Sequence, residues 1–191
     1  MNKLLFLAGE PGVGKTNRIA RPLADNRLGF VFNTDHISRL AAKHYSSAGY
    51  LGCKWQLWKL EFDENNNQQQ LKAAFHKTME ELGEIPINKV HNLIIEGVLS
   101  AHPAFRNIMF FTLLELGFRA ESVLTLALCL PWELVHQNLK VRGRPEDQEE
   151  SFVRERSRDY NRRLMRQTDI KLCKSGFDCY RAAVDFLCTG I

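Results

Sequence analysis

The chain has 191 residues, 45% of them hydrophobic, and its 26 Lys and Arg against 22 Asp and Glu give a formal net charge of +4. One compact domain over residues 1–191 with a full apolar core is the expectation at this length and composition. The charge favours small anionic ligands without implying nucleic acid, and no apolar run approaches the roughly 20 residues that a membrane span needs.

The chain opens MNKLLFLA, which has the flavour of a signal peptide, but the apolar stretch is short and runs straight into glycines. It reads instead as a first strand, LLFLAG, buried on both faces of a parallel sheet. The next residues are GEPGVGKT, and the spacing Gly9-x-x-x-x-Gly14-Lys15-Thr16 is that of a phosphate-binding (Walker A) loop. The chemistry fits the residue types. Backbone N–H groups of Gly12, Val13, Gly14 and Lys15 can ring a phosphate chain where glycine allows close approach. The N-terminus of a following helix adds positive potential. Lys15 supplies a full charge at the β- and γ-phosphates, and Thr16 a hydroxyl to Mg²⁺. The expected cofactors are therefore ATP and Mg²⁺.

Residues 15–26 read as a helix that Pro22 shortens or kinks, and Gly29 resets the chain into a second strand, FVFN, ending near Asp35. Asp35 has two readings: the N-cap of a helix over 36–48, or a carboxylate on the strand beside the glycine loop that faces a phosphate acceptor and takes its proton. The placement favours the second. Residues 49–86 interrupt the alternation with GYLGCKWQLWKLEF, the run NNNQQQ and an amphipathic LKAAFHKTMEEL, as an inserted helical cap over the sheet edge would. Trp55 and Trp58 fall on one face of such a cap. Basic and aromatic residues do not interleave as in a single-strand nucleic-acid channel.

NLIIEG is a third strand, and Glu96 closes it. Three roles fit Glu96: a rim residue in water, a carboxylate holding Mg²⁺ through water, or an alternative base. A helix over 103–116 closed by Gly117 follows, then a fourth strand, SVLTLALCL, and a helix begun by Pro131. VRGRPEDQEE, within 140–150, reads as an exposed mobile lid. Its Arg142 and Arg144 suit neutralisation of a transferring phosphoryl group. A basic helix over 151–167 comes next, with acidic neighbours that make most of its arginines ordinary surface pairs. A fifth strand is expected somewhere before the apolar helix that ends the chain.

Strands alternating with helices imply an α/β architecture: a mostly parallel five-stranded sheet with helices on both faces, its ligands at the carboxyl ends of the strands. Gly12, Asp35, Glu96 and Pro131 converge on that edge. The cysteines, Cys53, Cys129, Cys173, Cys179 and Cys188, are odd in number and none is paired at two-residue spacing, which speaks for buried thiols in a reducing cytoplasm rather than a zinc site or a disulfide framework.

Taken together, Gly9 to Thr16, the NTD of Asn33 to Asp35, LIIEG and LCLPWELVHQNLKVRGRPED resemble the P-loop kinases of small molecules, a three-layer P-loop NTPase fold. The closer likeness is to the branch with gluconate kinase, zeta toxin, chloramphenicol phosphotransferase and polynucleotide kinase. That resemblance implies ATP-dependent phosphorylation of a hydroxyl, with a strand-2 aspartate at the acceptor (Asp35) and an arginine-bearing lid (Arg142, Arg144). Several such relatives carry aspartate where this chain has Glu96. The acceptor is open: a nucleoside, sugar, antibiotic, nucleotide sugar or RNA 5′ end, with nucleic acid not favoured. Two further classes compete, a motor or regulatory P-loop ATPase and a nucleotide-binding module without catalysis. The first lacks its usual Asp-Glu pair after strand 3, and the intact Lys15 and Thr16 weigh against the second.

Overall fold

The computed structural model describes residues 2–35, 73, 76, 77, 80, 89–143 and 149–189. Cys53, Trp55, Trp58, Arg144, the expected helix over 36–48 and nearly all of the expected cap lie outside them.

Five strands form one sheet: β1 (Lys3–Gly9), β2 (Phe30–Asn33), β3 (Asn92–Glu96), β4 (Ser122–Leu128) and β5 (Lys171–Cys173). Their order is β2-β3-β1-β4-β5, and every pair is parallel. β1 is central and buried throughout. The fifth strand is a three-residue edge element. β2 is also an edge strand, and β3 separates it from β1. Asp35 lies two residues past β2, at the start of a helical segment, and β2 is one place further from the phosphate loop than the sequence suggests.

The alternation of β1 divides the core. Leu4 and Phe6 pack with Leu93, Ile95, Phe105, Met109 and Leu113 under α2 (Pro103–Glu115). Leu5 and Leu7 join Ile19, Leu23, Val135, Leu139, Ala183 and Leu187 on the other face, beneath α1 (Arg21–Asp25), α3 (Trp132–Arg142) and α5 (Gly176–Cys188). The basic helix α4 (Glu150–Leu164) returns to the first face, where Tyr160 and Leu164 pack on Ala8, Ala101 and Ala127. Helices therefore cover both sides of the sheet, as a parallel sheet requires.

The helix after the phosphate loop starts as a π-helical segment, Thr16–Ala20, whose Thr16 carbonyl accepts from Arg21 N–H. Pro22 explains the widening: it has no N–H for the Arg18 carbonyl and its ring would strike that oxygen. The expected helix over 15–26 thus becomes a wide turn followed by the five residues of α1. α2 ends where Gly117 predicts, with Phe118 N–H donating to Leu113 O at 2.9 Å. Lys3 is buried, and its ammonium caps the far end of α5, donating to the carbonyls of Phe186 (2.6 Å), Leu187 (3.3 Å) and Thr189. Of the described cysteines, all four are free thiols; Cys173 and Cys179 are buried, Cys129 and Cys188 half-buried. Among the described residues no helix is long and apolar enough to cross a membrane.

Candidate active site

The C-terminal ends of β1, β2 and β3 bring the site together. Gly9 ends β1, and the loop after it turns on glycines with positive φ. Gly12, at φ 89°, shows why: a Cβ there would stand 2.7 Å from Leu139 Cγ, so the loop can lie on α3 only without a side chain. Val13 is fully buried and anchors the loop in the core, and Asn138 of α3 donates to Gly12 O at 2.7 Å. Asn138 was not evident from the sequence. Its only sign there is a polar residue beside Leu139 on the apolar side of a helix.

Lys15 is 7% exposed and folds back over the loop, its Nζ 2.7 Å from Gly9 O and 3.1 Å from Glu10 O. Both carbonyls belong to the loop itself, so the ammonium is held over the loop's own backbone.

At the foot of the loop, Thr16 Oγ1 donates to Glu96 Oε1 at 3.1 Å. Asn33 Nδ2 donates to the other oxygen, Glu96 Oε2, at 2.6 Å, and Asn33 Oδ1 accepts from the Asp35 backbone N–H at 2.8 Å. One chain of contacts thus links the phosphate loop, the end of β3 and the start of Asp35's segment. Glu96 is 3% exposed, so it is not a rim residue in water. Each of its two oxygens accepts a hydrogen bond from a neutral side chain, which satisfies the buried group. Gly97 follows at φ 150°, and a Cβ there would run into the Thr34 hydroxyl, so the Glu-Gly pair is demanded by Thr34 packing beneath it. Asn33 and Thr34 are site residues that the sequence did not single out, although both lie in the NTD stretch.

Asp35 is half-buried at the strand edge, joined to Glu96 through Asn33. Arg142 is exposed in the last turn of α3, directly before Gly143. The helices flanking the charged loop are tied to each other: Arg154 of α4 lies 6.0 Å from the Trp132 ring of α3, and His136 Nε2 lies 3.5 Å from Glu150. The structure therefore brings Gly9, Gly12, Val13, Gly14, Lys15, Thr16 and Glu96 into one cluster, with Asp35 at its margin.

Two oxygen-bearing side chains, Thr16 and Glu96, stand together beside the glycine loop. That donor set fits a hard cation such as Mg²⁺, which binds through few protein oxygens and takes the rest from phosphate and water.

Beyond the loop, Arg106 is buried and donates to Ser100 O (3.1 Å), Gln167 Oε1 (3.1 Å) and Asp169 (2.6 Å), tying α2 to the approach to β5. Nearby, His102 has its pKa pushed down to about 4, by burial first and then by Arg163 and Arg106.

No family model matches the chain, and no curated protein matches it in sequence. Solved structures do resemble it. A shikimate kinase from Acinetobacter baumannii, in complex with shikimate, matches with a TM-score of 0.53 at 16% identity over 98% of this chain and 93% of that one. A shikimate kinase from Bacteroides thetaiotaomicron matches with a TM-score of 0.51 at 12% identity over 96% and 95%. An uncharacterized protein from Eubacterium ventriosum matches with a TM-score of 0.50 at 8% identity over 98% of each chain. At these identities the likeness is one of fold. These structures do not show the gluconate kinase and zeta toxin branch that the sequence motifs resemble. The fold is the P-loop NTPase α/β sandwich found in shikimate kinases.

Proposed function

We propose that the protein is an ATP-dependent kinase that transfers the γ-phosphoryl group to a hydroxyl of a small-molecule or nucleotide acceptor. The observation that carries this reading is the Thr16–Glu96 contact at the foot of a glycine loop that already holds Lys15 at its mouth. The fold shared with small-molecule kinases supports it.

In this reading the backbone of Gly9 to Thr16 binds the phosphate chain, and Lys15 exchanges its carbonyl partners for phosphate oxygens. Mg²⁺, when bound with the nucleotide, would neutralise phosphate charge. Thr16 and Glu96 would hold it, with Asn33 keeping the Glu96 carboxylate in register. Asp35 stands toward the acceptor, orients its hydroxyl and accepts its proton. This reading assigns residues 49–86 to acceptor recognition and 140–150, with Arg142 and Arg144, to the phosphates. Residues 1–191 act as one kinase-like domain. A reducing cytoplasm suits its four described free thiols.

The test is a screen of hydroxyl-bearing acceptors with γ-labelled ATP, using Lys15→Ala as the control. Label transferred to one acceptor class and lost in the variant supports the kinase. Release of inorganic phosphate at one rate whatever acceptor is offered would point instead to an ATPase.

A further inference from the structure

The phosphate-loop motif leaves its second position open, and here it is Glu10, 3% exposed. A loop built to bind an anion is a costly place to bury a carboxyl, because ligand and carboxylate repel and burial alone disfavours the charged form. The contacts show what holds it there. Asn161 Nδ2 of α4 donates to Glu10 Oε1 at 3.4 Å, and the Ser157 hydroxyl, one turn earlier, also donates to the carboxyl. Asn161 reaches Ser157 Oγ as well, at 3.5 Å. Ser157, Tyr160, Asn161 and Leu164 share one stripe of α4. Tyr160 is buried on Ala8, two residues before Glu10. The charged and titratable groups around the carboxyl are Lys15 of the loop, Arg156 and Tyr160 of α4, and Cys129 beyond β4.

We propose that Glu10 is a positioning residue: its carboxyl fastens α4 to the phosphate loop through Asn161 and Ser157, so that the charge on the loop and the seating of this helix meet at one side chain. The inference rests on the loop being a triphosphate site, but on no particular acceptor.

The linkage has a proton in it. Burial holds the Glu10 pKa above the ordinary 4.5, against the pull of Ser157, Asn161, Lys15 and Arg156. A polyphosphate on the loop engages Lys15 and sets negative charge beside the carboxyl. Both changes raise the pKa further. A proton taken up by Glu10 on binding would give it an O–H that can donate to an oxygen of Ser157 or Asn161, so the fastening would survive neutralisation.

The test uses the full chain with Mg²⁺ and a non-hydrolysable ATP analogue. Calorimetric titration at pH 6 and pH 8, in buffers of differing ionisation enthalpy, counts protons taken up. Hydrogen exchange over 150–164 reads the fastening. Wild type should take up protons and bind more tightly at the lower pH. Glu10→Gln should take up fewer protons, lose most of the pH dependence and keep the protection of α4. Glu10→Ala and Asn161→Ala should each lose about tenfold in that protection, the scale of one buried hydrogen bond. Unchanged proton uptake in Glu10→Gln, or unchanged α4 protection in both alanine variants, overturns the proposal. A wild-type chain that binds no nucleotide overturns the loop reading beneath it, and nucleotide binding lost only in Lys15→Ala keeps the two questions apart.

Discussion

Thr16 and Glu96 are 80 positions apart in the chain and 3.1 Å apart in space, hydroxyl to carboxylate. Glu96→Gln keeps the shape and much of the contact to Thr16 but removes the charge that a divalent cation needs. The Mg²⁺ concentration giving half-maximal rate should rise, by about 10–100-fold on the scale of altered metal-site partners. Rates against Mg²⁺ at saturating ATP measure it. If turnover is lost even at saturating Mg²⁺ while Asp35→Asn retains it, the base role passes from Asp35 to Glu96.

Asp35→Asn retains size and the backbone contact to Asn33. General-base contributions run to about 10²–10⁴-fold in rate, so phosphotransfer should fall by that order with ATP affinity and melting temperature nearly constant. Unchanged turnover would reduce Asp35 to a local cap.

Lys15→Ala should abolish transfer and weaken triphosphate binding. It also removes the donor to two loop carbonyls. The melting temperature should therefore fall by a few degrees even without ligand, at about 2–4 °C per kcal/mol for a chain of this size. A calorimetric melt beside a nucleotide titration separates the two effects; full activity in the variant would remove the loop from the mechanism.

His102 sets an acid limb of stability. The folded chain holds its pKa at about 4 against the ordinary 6.5, so the unfolded chain binds the proton more readily. This contribution is whole above about pH 6.5 and is lost as pH falls toward 4. Glu10 acts in the opposite sense, since a raised carboxyl pKa weakens the fold as pH climbs above 4.5. Melting temperatures of His102→Gln between pH 7.5 and 4.5 should fall less steeply than wild type. Parallel curves would exclude His102 as the source.

Gly97→Ala should cost about 2–4 kcal/mol, because it combines a disfavoured dihedral with a collision at Thr34. Thr34→Ala in the same chain should return the part due to the collision and leave the part due to φ. Chemical denaturation of the two single variants and the double variant gives both.

Much of this could be read from the chain because its strongest signals are local. An unbroken apolar run, three glycines and a Lys-Thr pair announce β1 and its loop, and NLIIEG and SVLTLALCL announce β3 and β4. β5 could not be placed, since three residues at a sheet edge with only Cys173 buried carry no pattern. Glu10, a charged residue in a loop, reads as solvated from the sequence alone, whereas α4, whose return path no local pattern encodes, covers it. Arg106 is the same case on a helix: its partners at 167 and 169 arrive from a distant turn. Asp35 was set beside the phosphate loop because strand order is a long-range property; the chain does not say locally that β3 inserts between β2 and β1.

The Lys3 ammonium shows what such long-range contacts mean for assembly. It joins the first strand to carbonyls 183 to 186 positions later, and closing so long a loop costs entropy that an assembled sheet must already have offset. In a growing chain β1 is made well before α5, and its lysine stays solvated until α5 has been made and docked. The clasp is then a late event in folding and an early one in unfolding. Substituting Lys3 should quicken unfolding and leave the folding rate largely as it was, and fraying of the last turn of α5 should loosen the first residues of the sheet with it.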